Sequence, residues 1–448
     1  MRTLMPHQRQ MLNYALKHSS VALFCEMRLG KTLVAIHWAI EQARFRQGRV
    51  LVVAPLSVIP TWCEELKLED VKDSFVLKGR TDQIEELLTS HKRGFFIVNY
   101  ELLRVRSILG QFEWEAIVLD ESTRIRNPQA RITRILTQFG KRIPAKAILS
   151  GLPAPEGPLD YVSQMLFLFP EFMGAQNYWQ FRHRYFVQYV YDWFPKKGAL
   201  KRIRDEIKER AFTLTRKEAG MGGRKVYEKR YVAMTSPQAR QYKKIKKEFS
   251  YDLNGKDIDT KWNPVKIGWM AQVAGGFTPD GRRVSTAKMD EIVSLLKGEL
   301  KNEQVIIWFR RTCELLGTAA YLSERGFKVG HIRGETSFEA RVKITREFNN
   351  AEIQVLCVQS KCGMYGIDWS VADTAIYYSN YYENEVRMQS EDRIVHPKKL
   401  RPVLYIDLIT EGTLDEDVVD ILKDKSITSK MFMSKLVYSL MTRKQKGE

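Results

Sequence analysis

Along most of the chain, short apolar runs alternate with longer stretches in which apolar positions recur at helical spacing. Residues 50–54, 95–99, 116–119 and 147–149 are short, rich in Val and Ile, and flanked by helical patterns. That predicts parallel strands buried on both faces. A second series follows at 305–309, 329–332, 355–358, 374–378 and 403–408. Two such series predict two doubly wound α/β domains. No solenoid period is present.

Between the series, roughly 178–281, the pattern changes. Residues 178–194 are crowded with aromatics and interleaved with Arg182, His183 and Arg184. Residues 196–229 are strongly basic and carry Gly220, Gly222 and Gly223. The region reads as helical insertions plus an interdomain linker. Its aromatics suit either the core of an inserted helical lobe or a base-stacking platform. Its basic middle suits either a solvated helix face or a phosphate track. The expected division is 1–230 for a first domain with a helical insertion from about 170, 231–284 for linker and insertion, and 285–448 for a second domain.

Charge sharpens this picture. The 448 residues carry a formal net charge of +19, which points to a polyanionic partner, with a generally solvated basic surface as the plainer alternative. Hydrophobic residues make up 44%, too many for disorder to be the default. The cysteines, Cys25, Cys63, Cys313, Cys357 and Cys362, are odd in number and lack metal-ligand spacing. They read as buried free thiols in a reducing compartment. The polar, basic residues 1–10 contain no apolar signal core, and no run reaches the ~18 apolar residues of a membrane span. A soluble intracellular protein is expected, cytoplasmic in a bacterium or virus-infected cell, or nuclear in a eukaryote.

The segment Ala22-Leu-Phe-Cys-Glu-Met-Arg-Leu-Gly-Lys-Thr32 runs from an apolar strand into a helix. Gly30-Lys31-Thr32 has the ending of a phosphate-binding loop. A tight loop before a helix points backbone N–H groups at phosphates, and the helix dipole adds to the attraction. Lys31 supplies a point charge to the β- and γ-phosphates, and Thr32 a hydroxyl to Mg2+. The strict pattern has glycine where Cys25 stands. An ordinary helix N-terminus is the plainer reading of these three residues alone. Ile117-Val-Leu-Asp-Glu-Ser122 adds two carboxylates after a buried strand. Asp120 can hold Mg2+, and Glu121 can orient and deprotonate a water. The plainer reading of that pair is a helix cap with a charged first turn. The order strand, GKT, strand, Asp-Glu favours a nucleotide hydrolase.

These stretches resemble superfamily-two helicases, and among them the Swi/Snf-type DNA translocases, over nearly the whole chain. Leu4-Met-Pro-His-Gln8 resembles the adenine-reading Q motif, with Gln8 as reader. Glu26-Met-Arg-Leu-Gly-Lys-Thr32 is similar to motif I, with Arg28 in place of a glycine. Val52-Val-Ala-Pro-Leu56 with Trp62 resembles motif Ia, and Asn99-Tyr-Glu101 motif Ib. Asp120-Glu-Ser-Thr123 is similar to a DEAH-like motif II, followed in context by Ile125-Arg-Asn-Pro128. Leu149-Ser-Gly-Leu-Pro153 resembles motif III. In the second half, residues 235–242 and 285–296 resemble the lead-in to the second motor domain, and 305–309 motif IV. Arg333-Gly-Glu-Thr336 with Arg341 resembles the motif after it. Residues 359–368 resemble motif V and 389–393 motif VI.

The resemblance implies two RecA-like doubly wound parallel-sheet domains in tandem, with helical insertions between them. It implies ATP held between the domains, with Mg2+ on Thr32 and Asp120. Lys31, Asp120, Glu121 and the arginine finger Arg393 would be catalytic. Gln8, Gly30, Lys31, Thr32, Gly366, Asp368 and Arg393 would bind the nucleotide. Nucleic acid, as double-stranded or branched DNA, would be gripped through phosphates by a monomeric motor unit, with Ser57, Asn99, Arg333 and Ser360 as contacts. No membrane partner is implied. Where the family carries a second arginine, this chain has His396, then Pro397. Either Arg393 suffices, turnover is slow, or another arginine substitutes. The chain is short for the family, which favours a compact bacterial or viral motor. Two rival readings stay open: a strand-separating DNA or RNA helicase, and a DNA-binding scaffold whose ATPase has decayed.

Overall fold

The computed structural model describes residues 2–44, 48–105, 107–189, 192–221, 224–254, 264–362, 368–396, 399, 401–424 and 428–445. The chain forms two compact units, Met1–Met221 and Gly222–Glu448.

The first unit is built on β1 (Ser20–Cys25), β2 (Arg49–Ala54), β3 (Ser74–Val76), β4 (Gly94–Asn99), β5 (Ala116–Asp120) and β6 (Ala145–Ser150). Further along lie β7 (Phe186–Tyr189), β8 (Asp192–Pro195) and β9 (Ala211–Leu214). Seven of these make one sheet in the order β3-β4-β2-β5-β6-β1-β9, with every pairing parallel. The pleat sorts their side chains onto two faces. Ala22, Phe24, Leu51, Val53, Phe96, Val98, Ile117 and Leu119 belong to one core. Val21, Leu23, Cys25, Val50, Val52, Ile97, Ala116 and Val118 belong to the other. Each fully buried Val, Leu, Ile or Phe stabilises by roughly 1.5–3 kcal/mol, so both cores lock the register.

The second unit contains β10 (Lys225–Val232), β11 (Val305–Phe309), β12 (Val329–Ile332), β13 (Val355–Gln359), β14 (Thr374–Tyr377) and β15 (Val403–Thr410). These form a parallel sheet in the order β10-β15-β14-β11-β13-β12. It too carries a core on each face, one around Ile307, Phe309 and Cys357, the other around Trp308, Leu356 and Tyr405. Helices Ser236–Asn254 and Pro264–Ala274 contribute Tyr242, Ile267 and Met270 to a further cluster with Leu414, Val418 and Phe432.

Both strand series are therefore present, and the fold is two doubly wound parallel sheets in tandem. One expectation needs correction. Residues 196–229 are not simply helix and linker. Ala199–Arg210 is helical, but β9 extends the first sheet beyond β1, and β10 is the outermost strand of the second. The basic composition hid β10, because ion pairs stand where apolar contacts are expected. Lys225, Tyr227 and Lys229 share one face by the two-residue period. Lys225 and Tyr227 bond Glu391, and Lys229 bonds Asp420. The aromatic stretch divides. Phe181 and Phe186 are buried in the core, and Phe181 stacks on Phe172 at 5.5 Å. Trp179, Tyr189 and Phe194 are exposed.

Candidate active site

The carboxyl edge of a doubly wound sheet is where ligands bind, because loops leave there toward helix N-termini. In the first unit β1 ends at Cys25 and the chain turns through Arg28 and Gly30 into the helix Lys31–Arg44. Gly30 has φ +75°, and a Cβ there would lie 2.1 Å from Gln8 Nε2. Both conformation and space require glycine. Arg28, where a glycine is usual, adopts φ +66° all the same. A side chain in that region costs about 1–2 kcal/mol, so surrounding contacts hold the loop against strain. Cys25 needs no glycine. It is an extended strand residue, fully buried, with Sγ 3.8 Å from the Phe212 carbonyl oxygen, and burial pushes its thiol up to about 12.

Lys31 Nζ donates to the carbonyls of Cys25 at 2.8 Å and Glu26 at 3.1 Å. Its ammonium thus sits over the loop, where a phosphate would arrive. Glu26 is itself tied to Arg216, by the backbone N–H at 3.1 Å and the guanidinium at 3.2 Å. Gln8 lies in the helix Pro6–Ala15 and accepts from the Met5 N–H at 2.9 Å. Thr32 occupies the first turn after the loop.

Asp120 ends β5 and is nearly buried. Its Oδ2 accepts from Trp62 Nε1 at 2.8 Å and its Oδ1 from the Glu121 N–H at 2.9 Å. Burial raises its pKa, opposed by the Trp62 bond, the Lys31 charge and the Glu121 amide. Each oxygen keeps a lone pair, so the donor set fits a cation that neutralises the carboxylate. Tyr100 donates to the Asp120 carbonyl at 2.7 Å. Glu121 has φ +51°, a second side chain held in the left-handed region. Ser122 donates to Gln164 Oε1 at 2.7 Å, and Gln164 Nε2 donates to the carbonyls of Pro153 at 2.6 Å and Asp160 at 2.8 Å. One amide therefore joins the carboxylate loop to the loop after β6. That loop also touches the phosphate loop, since a Cβ on Gly151 would meet Met27 Cγ at 2.9 Å.

The structure thus gathers Gln8, Gly30, Lys31, Thr32, Asp120 and Glu121 at one edge of one sheet. Ser57 follows β2 and Asn99 ends the neighbouring β4, and Asn99 Oδ1 caps the next helix by accepting from the Leu102 N–H.

The other candidates lie in the second unit. Arg333 follows β12 and pairs with Glu335 at 3.0 Å, and Gly334 N–H donates to Gln359 Oε1 at 3.3 Å. Arg341 clasps the carbonyls of Arg333, Thr336 and Cys362 at 2.9–3.2 Å. Ser360 is buried and donates to the Phe309 carbonyl at 3.3 Å. Asp368 Oδ1 accepts from the Ser370 N–H. Gly366 and Pro397 lie outside the described residues. Arg393 Nε donates to the Gln389 carbonyl at 3.3 Å. Of the acids beside it, Glu391 bonds Arg387, Lys225 and Tyr227, and Asp392 bonds Lys225. Cys25 and Cys357 are buried, the other three cysteines partly so, and all five are free thiols.

Sequence reasoning gave no role to Trp62 in holding Asp120, or to Gln164. The visible signal for Gln164 was a lone amide among Val162, Met165 and Leu168, where a buried helix face needs apolar residues.

Two tandem parallel α/β units, the first with a phosphate loop and an acid pair at its carboxyl edge, define a nucleotide-binding protein of the helicase type. Residues 7–274 match the SNF2-related domain, and residues 287–398 match the helicase conserved C-terminal domain. The chain belongs to the SNF2-related family of helicase superfamily two. It is 24% identical over 500 aligned positions to the ISWI chromatin-remodeling complex ATPase ISW1 of Saccharomyces cerevisiae, covering 99% of this chain and 42% of that one. It is 23% identical over 430 positions to the human SWI/SNF-related matrix-associated actin-dependent regulator of chromatin subfamily A member 1, covering 88% and 40%. The chain thus spans about two fifths of the length of these curated relatives. A solved structure, the Sulfolobus solfataricus SWI2/SNF2 ATPase core in complex with dsDNA, aligns with TM-score 0.46 and 20% identity over 96% of this chain and 95% of that one. Among the described residues, no helix is long and apolar enough to cross a membrane.

Proposed function

We propose that this chain couples ATP hydrolysis to movement along double-stranded or branched DNA, remodelling DNA or DNA–protein complexes. The observation that carries the reading is the placement of the Lys31 ammonium over a glycine-turned loop, close enough for its charge to oppose the rise that burial imposes on the Asp120 pKa. That arrangement suits a magnesium triphosphate. The names of the relatives, a chromatin-remodeling ATPase and a core bound to dsDNA, supply the nucleic-acid half of the proposal.

In this reading the loop amides and Lys31 hold the β- and γ-phosphates, and Gln8 reads the adenine. Thr32 and Asp120 would hold Mg2+, which when bound would neutralise charge on the phosphates. Glu121 orients the attacking water and takes its proton. Arg393 would meet the charge that develops on the γ-phosphate, a contribution worth roughly 10³–10⁵ in rate. Gly366 and Asp368 complete the nucleotide contacts. Ser57, Asn99, Arg333 and Ser360 mark the track, Ser360 through its main chain, because its hydroxyl is engaged.

The test is ATP turnover of wild type and Lys31→Ala with no nucleic acid, single strand, duplex, fork and RNA. Duplex-stimulated turnover that Lys31→Ala abolishes supports the motor. Equal background turnover in both proteins leaves a DNA-binding scaffold. Triplex displacement without strand separation supports translocation over unwinding.

A further inference from the structure

The hairpin β7–β8 is a two-stranded sheet of its own, apart from the seven-stranded sheet of the first unit. An isolated hairpin is marginal in water, so one face must be held. The strands set Val187 opposite Phe194 and Gln188 opposite Trp193. The two-residue period therefore puts Phe186 and Trp193 on one face, and Val187, Tyr189 and Phe194 on the other. The first face is anchored. Phe186 is buried in the core, and Trp193 packs against it. The Arg182 guanidinium, from the helix Tyr178–Tyr185, stands 4.1 Å from the centre of the Trp193 ring and 4.6 Å from that of Trp179. His183 meets Trp193 edge-on at 4.9 Å. Lys196 closes the base, its N–H donating to the Tyr185 carbonyl at 2.9 Å and its ammonium to the His183 carbonyl at 2.8 Å.

The second face is open. Val187 and Phe194 are each 51% exposed, and Tyr189 is 72% exposed. Apolar residues scattered singly over a surface are ordinary. A directly opposed pair with an aromatic ring two positions along is a surface patch. The charge beside it decides what it suits. Residues 182–204 hold seven Lys and Arg against one acid, Asp192. Lys197, Lys201, Arg202 and Arg204 are exposed and form no ion pair with a described residue. The last three lie on the helix Ala199–Arg210, which follows the hairpin directly. A second copy of this chain would bring like charge against like. A duplex keeps the faces of its bases inside the stack. An unpaired strand offers both matches at once, base faces for the rings and phosphates for the cations.

We propose that the outer face of the β7–β8 hairpin stacks on unpaired bases of a DNA strand, with Lys197 and the cations of the next helix on its phosphates. This rests on the nucleic-acid half of the proposed function and deepens it, by making a single-stranded arm, as at a fork, part of the substrate. The test follows binding of the full chain, without nucleotide, by fluorescence anisotropy. The probes are an oligo-dT strand of about 16 nucleotides, an abasic strand of the same length and charge, and a blunt duplex. Wild type is expected to prefer oligo-dT over the abasic strand about tenfold. Tyr189→Ala and Phe194→Ala should each remove most of that preference. Both should leave duplex affinity within about twofold and the thermal midpoint unchanged, because the two side chains point away from the core. Tyr189→Phe should keep the preference, since the ring stacks and the hydroxyl does not. Equal wild-type affinity for oligo-dT and the abasic strand overturns the proposal. So does a preference that survives both alanine variants, or an equal loss on both strands, which would mean phosphate contact alone. Self-association in sedimentation that Phe194→Ala abolishes, with base preference intact, gives the face to a second copy and overturns it too. ATP turnover is not read here. Duplex-stimulated turnover without base preference would keep the motor and sink this inference, and base preference with background turnover would do the reverse.

Discussion

At the scale of single residues, the site tolerates two departures from the usual phosphate loop for different reasons. Cys25 stands where the backbone is extended, so a side chain costs nothing there. Arg28 stands where φ is positive, so the loop carries strain that its contacts offset. Asp120 shows how a neighbour tunes chemistry. Burial pushes its carboxyl up and the Trp62 indole pulls it back. Trp62→Phe removes a hydrogen bond to a charged group, worth about 1.5–3 kcal/mol. The carboxyl then titrates higher, and Asp120 is ionised over a narrower range. The acidic limb of the rate–pH profile should move to higher pH, with turnover at neutral pH falling roughly tenfold. An unmoved limb in a folded protein would show that Asp120 ionisation does not limit the rate.

At the scale of elements, polar groups join pieces that hydrophobic pattern alone would leave independent. Arg387 is buried, stacks 3.4 Å over the Tyr377 ring, and bonds Asp407 on β15 at 2.6 Å and Glu391 at 2.9 Å. Glu391 also takes Lys225 and Tyr227 from β10. Arg387 and Lys225 hold its carboxyl down from 4.5 to about 2, against its burial. A depressed carboxylate contributes stability above its unfolded pKa, and the contribution is lost as pH falls through the folded value. Glu391 should therefore stabilise the second unit fully above about pH 4.5 and cease to do so near pH 2. Glu391→Gln should lower the thermal midpoint at pH 7 and flatten its decline between pH 4.5 and 2. Asp407→Asn leaves the buried Arg387 charge with Glu391 alone to compensate it and should cost about 3–5 kcal/mol, read by thermal unfolding at neutral pH. The same elements show the limit of sequence reading. Residues 305–309 and 355–358 are legible because their apolar runs are continuous. Lys225–Val232 is not, because an edge strand needs an apolar pattern on neither face when ion pairs anchor it.

At the scale of the whole molecule, the net charge of +19 sets how the nucleic acid of the proposed function would be held. Phosphate contacts release condensed counterions, so binding falls with salt at a slope of about −0.9 per contact on duplex DNA. A motor gripping roughly 6–10 phosphates should lose about 10³–10⁵ in affinity between 50 and 200 mM salt. Measured duplex affinity over that range should show it. A flat response would mean that the charge serves another partner.

The sequence by itself determined that there are two parallel α/β sheets, and which loops leave their carboxyl edges. Apolar runs of strand length and a glycine-lysine-threonine turn are local signals, fixed by backbone sterics and by the cost of burying polar groups. It also placed Lys31, Asp120 and Glu121 at such loop positions. Only the tertiary structure decided that Trp62 and Tyr100 hold Asp120, that Gln164 joins the loops after β5 and β6, and that Lys225 reaches Glu391 across 166 positions. Those partners are far apart in sequence and have no periodicity of their own. They meet because two apolar cores fix the order of the strands, and that order, not the spacing of residues, sets which polar groups share a buried space.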